Sequence, residues 1–218
     1  MPRVGVVLSG SGVFDGSEIH EATLTLLFLD KKGAEIVIMA PDGEQRDVIN
    51  HLKQEPIKEK RNILVESARI ARGKIKNIKD IKADDLDALI FPGGFGAAKN
   101  LSNFAEKGEN CTVHPEVERL IKEMHSQGKP MGFICIAPVL AAKVLGNKVQ
   151  ITIGNDKNVA SAIEKMGAYH IECPVDMAVI DSKNKVVSTP AYMLAESIKD
   201  LESGIKMLVN NVLKLIKK

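Results

Sequence analysis

Apolar and polar positions alternate along the chain in blocks that predict strands and helices in turn. Val4 to Leu8 is a near-continuous β-branched and apolar run closed by Ser9, Gly10, Ser11 and Gly12, the pattern of a strand buried on both faces. A helix is predicted from Glu18 to about Lys32, with Ser17 as its cap and Gly33 as its positive-φ stop. Ile36 to Ala40 reads as a second strand, 41–61 as polar and irregular, and Ile63 to Arg72 as a helix ended by Gly73. Leu86 to Phe91 is another buried strand, broken by Pro92, Gly93 and Gly94. Asn100 to Val113 is a polar surface excursion, followed by a helix from Pro115 to Ser126 closed by Gly128. Pro130 to Ile134 is a strand and Ile136 to Leu145 a helix with Pro138 in its first turn, so Cys135 is the joint. Val149 to Ile153 is a strand, Asn158 to Met166 a short helix ended by Gly167, and the segments near His170 and Val179 to Val187 are further strands. Ile198, Leu201, Ile205, Leu208, Val212 and Leu215 recur at spacings of three and four, an amphipathic helix with Lys214, Lys217 and Lys218 near its end. This order predicts an α/β, flavodoxin-like fold: an open, mostly parallel sheet with helices on both faces and ligands beyond the carboxyl ends of its strands.

Length and composition narrow the function classes. The 218 residues, 44% of them apolar, suit one domain spanning 1–218 with a core of its own. With 30 Lys plus Arg against 28 Asp plus Glu, the net charge of +2 advertises no nucleic-acid or membrane surface. The longest apolar stretch, Met131 to Ala142, contains Pro138 and falls short of the ~18–20 residues that span a bilayer. The N-terminus lacks the basic region and long apolar core of a signal peptide. Cys111, Cys135 and Cys173 are odd in number and contain no CxxC pair, so they predict neither a disulfide framework nor a zinc site. A reducing compartment, the cytoplasm, is the expectation.

Cys135 is the first candidate for chemistry, because it falls where a buried strand must turn sharply into a helix. That is the setting of a nucleophile elbow, in which the side chain projects above the sheet. The following helix N-terminus would favour the thiolate, so a thiol pKa below the free value of about 8.5 is expected. The glycines of the usual elbow are absent, with Phe133 and Ala137 in their places, and a buried, inert cysteine fits the local sequence equally well. Pro92-Gly93-Gly94 offers unshielded amides that could hold an oxyanion together with the Ile136 amide, though a glycine pair is also an ordinary turn. Glu18 and Glu21 share a helix face beyond the first Gly-rich loop. Glu18 is accounted for as a complement to the helix dipole. Glu21, deeper among apolar residues, could be buried, raised in pKa and able to shuttle a proton to the sulfur. His170-Ile171-Glu172 imitates the His-x-Glu of a cysteine triad but stands in the wrong place in the chain. Gly10-Ser11-Gly12 lacks the third glycine of a dinucleotide fingerprint, and the five histidines show no metal-ligand spacing. His51, on a loop long enough to cover a site, is left as a possible substrate contact.

Several longer stretches carry a resemblance. They are Gly12-Val13-Phe14-Asp15-Gly16-Ser17-Glu18-Ile19-His20-Glu21, Asp47-Val48-Ile49-Asn50-His51-Leu52, Pro92 through Ser102, Cys135-Ile136-Ala137-Pro138 and Thr189-Pro190-Ala191-Tyr192-Met193. Through them the chain resembles, nearly end to end, the DJ-1/PfpI superfamily with its class I glutamine amidotransferase-like fold. The likeness is closer to its ElbB branch of glyoxalase-like, ES1-related proteins. The resemblance implies a catalytic Cys135, an acidic partner at Glu21, an oxyanion hole from the Gly94 and Ile136 amides, and possible substrate contacts at His20, His51 and Gly93. It also implies a homodimer and no metal or organic cofactor. Ile136 stands where protease-like members carry a histidine, and the C-terminal His-x-Glu of glutamine amidotransferases is missing, so neither peptidase activity nor ammonia transfer is implied. The activity expected is that of a glutathione-independent glyoxalase, turning glyoxal or a similar small 2-oxoaldehyde into its 2-hydroxy acid through a cysteine hemithioacetal. The alternative is a non-catalytic redox or carbonyl-stress sensor built on the same cysteine. Removal of early glycation adducts from proteins could arise from aldehyde consumption.

Overall fold

In the computed structural model, which describes residues 1–216, the apolar runs become the strands of one central sheet. In chain order the elements are β1 (Arg3–Val7), α1 (Ile19–Lys31), β2 (Glu35–Ala40), β3 (Ile49–Asn50), β4 (Glu55–Pro56), α2 (Ile63–Ile70), β5 (Lys76–Asn77) and β6 (Ala88–Phe91). They continue with α3 (Phe95–Lys99), α4 (Phe104–Lys107), α5 (Pro115–Ser126), β7 (Met131–Ile134), α6 (Pro138–Leu145), β8 (Gln150–Ile151), α7 (Lys157–Lys165), β9 (Tyr169–His170), β10 (Val179–Asp181), β11 (Val186–Thr189) and α8 (Ile198–Leu215). The main sheet has seven strands in the order β10-β11-β7-β6-β1-β2-β5, and only the β10–β11 pair is antiparallel.

The near-continuous apolar runs have their cause in this topology, because both faces of the sheet are covered. Val4, Val6, Ala88, Ile90, Ile134 and Val187 point to one core, under α1 and α8. Val7, Leu89, Phe91, Met131, Phe133 and Val186 point to the other, under α3, α5 and α6. The strand period of two sends neighbours to opposite faces, so a strand apolar at every position has no solvent side. Phe91 and Phe133 stack at the centre of the second core, 5.0 Å apart and 2° from parallel. β1 and β6 are adjacent, and the chain leaves β1 toward β2 on one side and reaches β6 on the other. A crevice opens above the carboxyl ends of the strands at such a switch in direction.

Several boundaries differ from the sequence reading for identifiable reasons. Glu18, not Ser17, caps α1: its carboxylate accepts from the Glu21 amide at 2.7 Å. The Ser17 hydroxyl is turned inward and accepts from the Ser9 amide at 2.9 Å, fastening the Gly-rich loop. The irregular 41–61 segment contains the small hairpin β3–β4. Val149–Ile153 does not enter the main sheet, since β8 pairs with β9 in a separate two-stranded sheet. Val179–Val187 is two antiparallel strands turned at Lys185, whose φ is 54°. The edge strand β5 has only two polar residues, Lys76 and Asn77, and so no apolar signal to betray it. Lys214 lies in the last turn of α8, whereas Lys217 and Lys218 fall outside the described residues.

Candidate active site

Cys135 sits at the end of β7 with φ at 62°, a left-handed conformation that a side chain adopts only where its surroundings enforce it. The enforcement comes from both sides of the residue. Its amide donates to Thr189 O at 3.0 Å, at the end of the neighbouring strand β11, and Ala137 N closes the turn on Ile134 O at 3.0 Å. Strand, strained residue and helix together make the predicted elbow. The helix itself begins two residues later than expected, at Pro138, with Ile136 and Ala137 in the turn between.

Glu21 is carried to this point by α1 and is wholly buried. One carboxyl oxygen accepts from the Gly93 amide at 2.9 Å and the other from the Tyr192 amide at 3.2 Å. The Cys135 thiol stands beside this carboxyl, and each group shifts the proton affinity of the other. Two glycines make room for this. A Cβ on Gly93 would collide with the Cys135 Cβ and stand 2.6 Å from Glu21 Oε2. Gly94 has φ at 96°, and a Cβ there would collide with the backbone of Gly16 and Glu18. The Gly94 and Ile136 amides are aimed at the sulfur. Neither donates to a backbone carbonyl among the described residues. Charge developing on a ligand at the sulfur would therefore meet two preorganised donors.

Burial pushes Glu21 from 4.5 up to about 8, with the nearby Glu18 charge adding to the effect. Burial pushes the Cys135 thiol well above its ordinary value too, and the Glu21 charge adds to that, while the Gly94 and Ile136 amides pull the other way. The expected lowering of the thiol is thus corrected: the sulfur is more deeply buried, and the start of α6 further off, than the sequence suggested. The two groups titrate as one unit. At neutral pH the Glu21 carboxyl holds its proton, so the charge that opposes the thiolate is absent. The carboxyl, at about 8, gives up its proton before the sulfur does, and as carboxylate it is the base beside the thiol.

The remaining candidates are placed as follows. His20, next to Glu21 on α1 but half exposed, has Nδ1 2.8 Å from the Tyr192 hydroxyl. Gly93 was a candidate substrate contact, but its amide is engaged by Glu21. His51 is turned toward the first loop: Nε2 accepts from the Phe14 amide at 3.3 Å and Nδ1 faces Ile49 O at 3.0 Å. Both ring nitrogens are occupied there, because the hairpin β3–β4 folds the ring against Phe14 rather than over the sulfur. His170 lies in the small β8–β9 sheet, with Nε2 accepting from Ile153 N at 3.4 Å. Among the described residues no three His, Cys, Asp or Glu side chains gather to hold a metal ion, and no helix is long and apolar enough to cross a membrane. Cys111, Cys135 and Cys173 are free thiols, all buried. A cleft of about 360 Å³ lies away from the sulfur, bordered by Arg46, Asp47, Lys99, Asn103 and Glu106. Cys135 is 7% exposed.

Residues 12–197 match the DJ-1/PfpI family. The chain belongs to that family. Other members put the DJ-1/PfpI resemblance on firmer ground. The "ES1 protein homolog, mitochondrial" of Rattus norvegicus is 51% identical over 98% of this chain and 84% of its own length. The human "Glutamine amidotransferase-like class 1 domain-containing protein 3, mitochondrial" is also 51% identical, over 98% of this chain and 83% of its own length. A crystal structure from Ehrlichia chaffeensis, described as an isoprenoid biosynthesis protein with an amidotransferase-like domain, superposes with a TM-score of 0.94 at 38% identity, each chain covered in full. The expected cytoplasmic location is overturned by the two relatives at 51% identity, both named mitochondrial. Unpaired thiols report only a reducing environment, which does not separate one compartment from another.

Sequence reasoning assigned no role to Tyr192, Ala191 or Asn100. Tyr192 and Ala191 were visible only as part of a family stretch, and Tyr192 acts on Glu21 through its backbone, which no side-chain pattern encodes. Asn100 ties the first loop to the second through bonds of 2.8 Å to Ser9 O and to Asp15 O. Its signal, an asparagine shortly after a glycine turn, is too common to single out.

Proposed function

We propose that this DJ-1/PfpI protein is a cofactor-independent glyoxalase acting on glyoxal or a similarly small 2-oxoaldehyde. The observation that carries the reading is a fully buried carboxyl, protonated at neutral pH and set beside an elbow cysteine with two unengaged amides. In the singly ionised pair the Glu21 carboxylate takes the Cys135 proton as the sulfur adds to one aldehyde carbon, C1, and the oxyanion O1 forms against the Gly94 and Ile136 amides. Glu21 gives its proton to O1, completing the hemithioacetal, and as carboxylate takes the C1 hydrogen. The electrons of that C–H bond become the C1–C2 double bond, and the former carbonyl pair of C2 moves to O2, which takes up a proton. Glu21 returns its proton to C2, the O1 proton leaves to solvent, and a thioester remains. Water adds to the thioester with its proton going to Glu21, the C–S bond breaks, and glycolic acid departs as the sulfur takes that proton back, restoring thiol and carboxylate.

A sulfur-bearing residue only 7% exposed suits a substrate of a few heavy atoms. A homodimer and an uncharged aldehyde as the only partner are carried as part of the same reading. The rival, a sensor using the same thiol, is less well supported, since oxidation favours an exposed, readily ionised cysteine and this one is neither. The test is glycolate formation from glyoxal, followed by proton NMR, for the wild type, Cys135→Ala and Glu21→Ala. Turnover by the wild type and its loss in both variants is expected, and wild-type rates in either variant overturn the reading.

A further inference from the structure

The cycle above leaves one atom without a donor. O1 has the Gly94 and Ile136 amides, and Glu21 serves the two carbons, but O2 must gain a proton as the C1–C2 double bond forms. The Gly93 amide is not available for it, being engaged by Glu21. The wall on the Glu21 side of the sulfur carries a second pair of groups. Tyr192 places its amide on Glu21 Oε1 at 3.2 Å, and its hydroxyl lies 2.8 Å from His20 Nδ1, the two rings 5.9 Å apart. The residues in this pair are 172 positions apart in sequence and come from the two segments that flank the elbow.

The position of Tyr192 is held at some cost. Ala191 has φ at 46°, a left-handed conformation for a residue with a Cβ. Ala191 O accepts from Leu194 N at 3.0 Å and Ala195 N at 2.8 Å, and Thr189 O, two residues earlier, accepts the Cys135 amide at 3.0 Å. The elbow and the tyrosine thus share one strained support. Tyr192 is partly buried, whereas the His20 side chain is 50% exposed and its Nε2 has no hydrogen-bond partner among the described residues. Burial, with the Glu18 and Glu21 charges, pushes the phenol above its ordinary value and keeps it a donor. A donor near Glu21, joined to a histidine that opens on water, is the layout of a proton relay.

We infer that Tyr192 and His20 deliver a proton from solvent to the second oxygen of a dicarbonyl held on Cys135, Tyr192 donating and His20 resupplying it. The inference rests on the glyoxalase reading and adds two catalytic residues to it. As the C2 carbonyl pair moves to O2, the Tyr192 O–H bond breaks and its proton forms the new O2–H bond. The phenolate takes a proton from His20 Nδ1–H, and His20 takes one at Nε2 from water. One proton enters here and one leaves from O1, so the cycle balances.

The experiment compares kcat/KM for glyoxal in the wild type, Tyr192→Phe and His20→Ala, the last with and without added imidazole. Iodoacetamide alkylation of Cys135 is measured on the same samples. A fall of about 10- to 100-fold is expected in both variants. Imidazole should restore the His20→Ala activity in a dose-dependent way, entering the space vacated on the exposed side, and should not help Tyr192→Phe. Alkylation should stay within about twofold of wild type, because the amide on Glu21 belongs to the backbone and survives both changes. Unchanged kcat/KM in either variant overturns the relay. So does a loss of activity matched by an equal loss of alkylation, or a loss in His20→Ala that imidazole does not relieve, since a tyrosine that only latches the loop behaves in that way. A wild type that makes no glycolate overturns the glyoxalase reading, and the relay with it. That outcome is read from the wild type alone and so is distinct from failure of the relay.

Discussion

Replacing Glu21 by Gln probes the centre of the site without any substrate. The carboxyl is fully buried and pushed from 4.5 up to about 8, so between those values the folded chain holds a proton that the unfolded chain has released. The folded state is then the one binding more protons, and stability falls as pH rises through that window. For a difference between 4.5 and about 8 the full loss is roughly 5 kcal/mol, on the order of 3 of it reached by pH 7. Gln cannot ionise and escapes this loss. Its amide nitrogen must instead face one of two backbone donors, Gly93 N or Tyr192 N, at a cost of about 1–3 kcal/mol. Urea unfolding of both proteins from about pH 5 to about pH 8, at constant ionic strength, reads the balance. The stability difference should move in favour of E21Q by about 1.4 kcal/mol per pH unit, from a deficit at the acid end to an advantage at the alkaline end. Other titrating groups cancel in the comparison. Two stability curves running parallel across the range would refute the buried, protonated carboxyl and the proton transfers assigned to it.

Gly93→Ala sets a methyl group against the Cys135 Cβ and 2.6 Å from Glu21 Oε2. Glyoxal turnover should fall by about 100-fold while the circular dichroism spectrum is kept, and wild-type turnover would show that the pair tolerates separation. Cys135→Gly removes the side chain from a residue with φ at 62°. It should unfold with about 1 kcal/mol more stability than Cys135→Ala, and the reverse order in thermal melts would mean that the elbow stores no strain. Asp181 accepts from Gln150 N at 2.9 Å, Asn184 N at 2.9 Å and Asn184 Nδ2 at 2.7 Å. Burial pushes its carboxyl up, but these donors outweigh burial and hold it below 3.8. Asp181→Ala should cost about 1–3 kcal/mol at neutral pH. Part of that gap closes as pH drops through the folded pKa and the wild-type carboxylate is protonated; denaturant titrations showing the same gap at neutral and strongly acid pH would contradict this.

The sequence by itself determined the architecture, because burial on both faces leaves a mark in every strand. The runs Val4–Leu8, Ala88–Phe91 and Met131–Ile134 carry no polar phase, as a parallel sheet covered by helices on both sides requires. The elbow was legible for a related reason: a strand over Pro130–Ile134, followed at once by a helical stretch with Pro138 in its first turn, puts Cys135 at the joint, although the turn extends through Ala137. Glu21 stood out as an acid in an apolar helix segment. Tertiary structure alone decided what surrounds these two residues. The hydrogen bonds that place Glu21 come from the amides of Gly93 and Tyr192, 72 and 171 positions away, and amides are the same in every residue. His51 and His20 looked alike as candidates, yet packing against Phe14 occupied one, and contact with Tyr192 brought the other to the rim of the site. The thiol was misjudged for the same cause. Local sequence reports the nearby helix dipole, whereas the depth of the sulfur and the charge of its neighbour are sums over the whole fold.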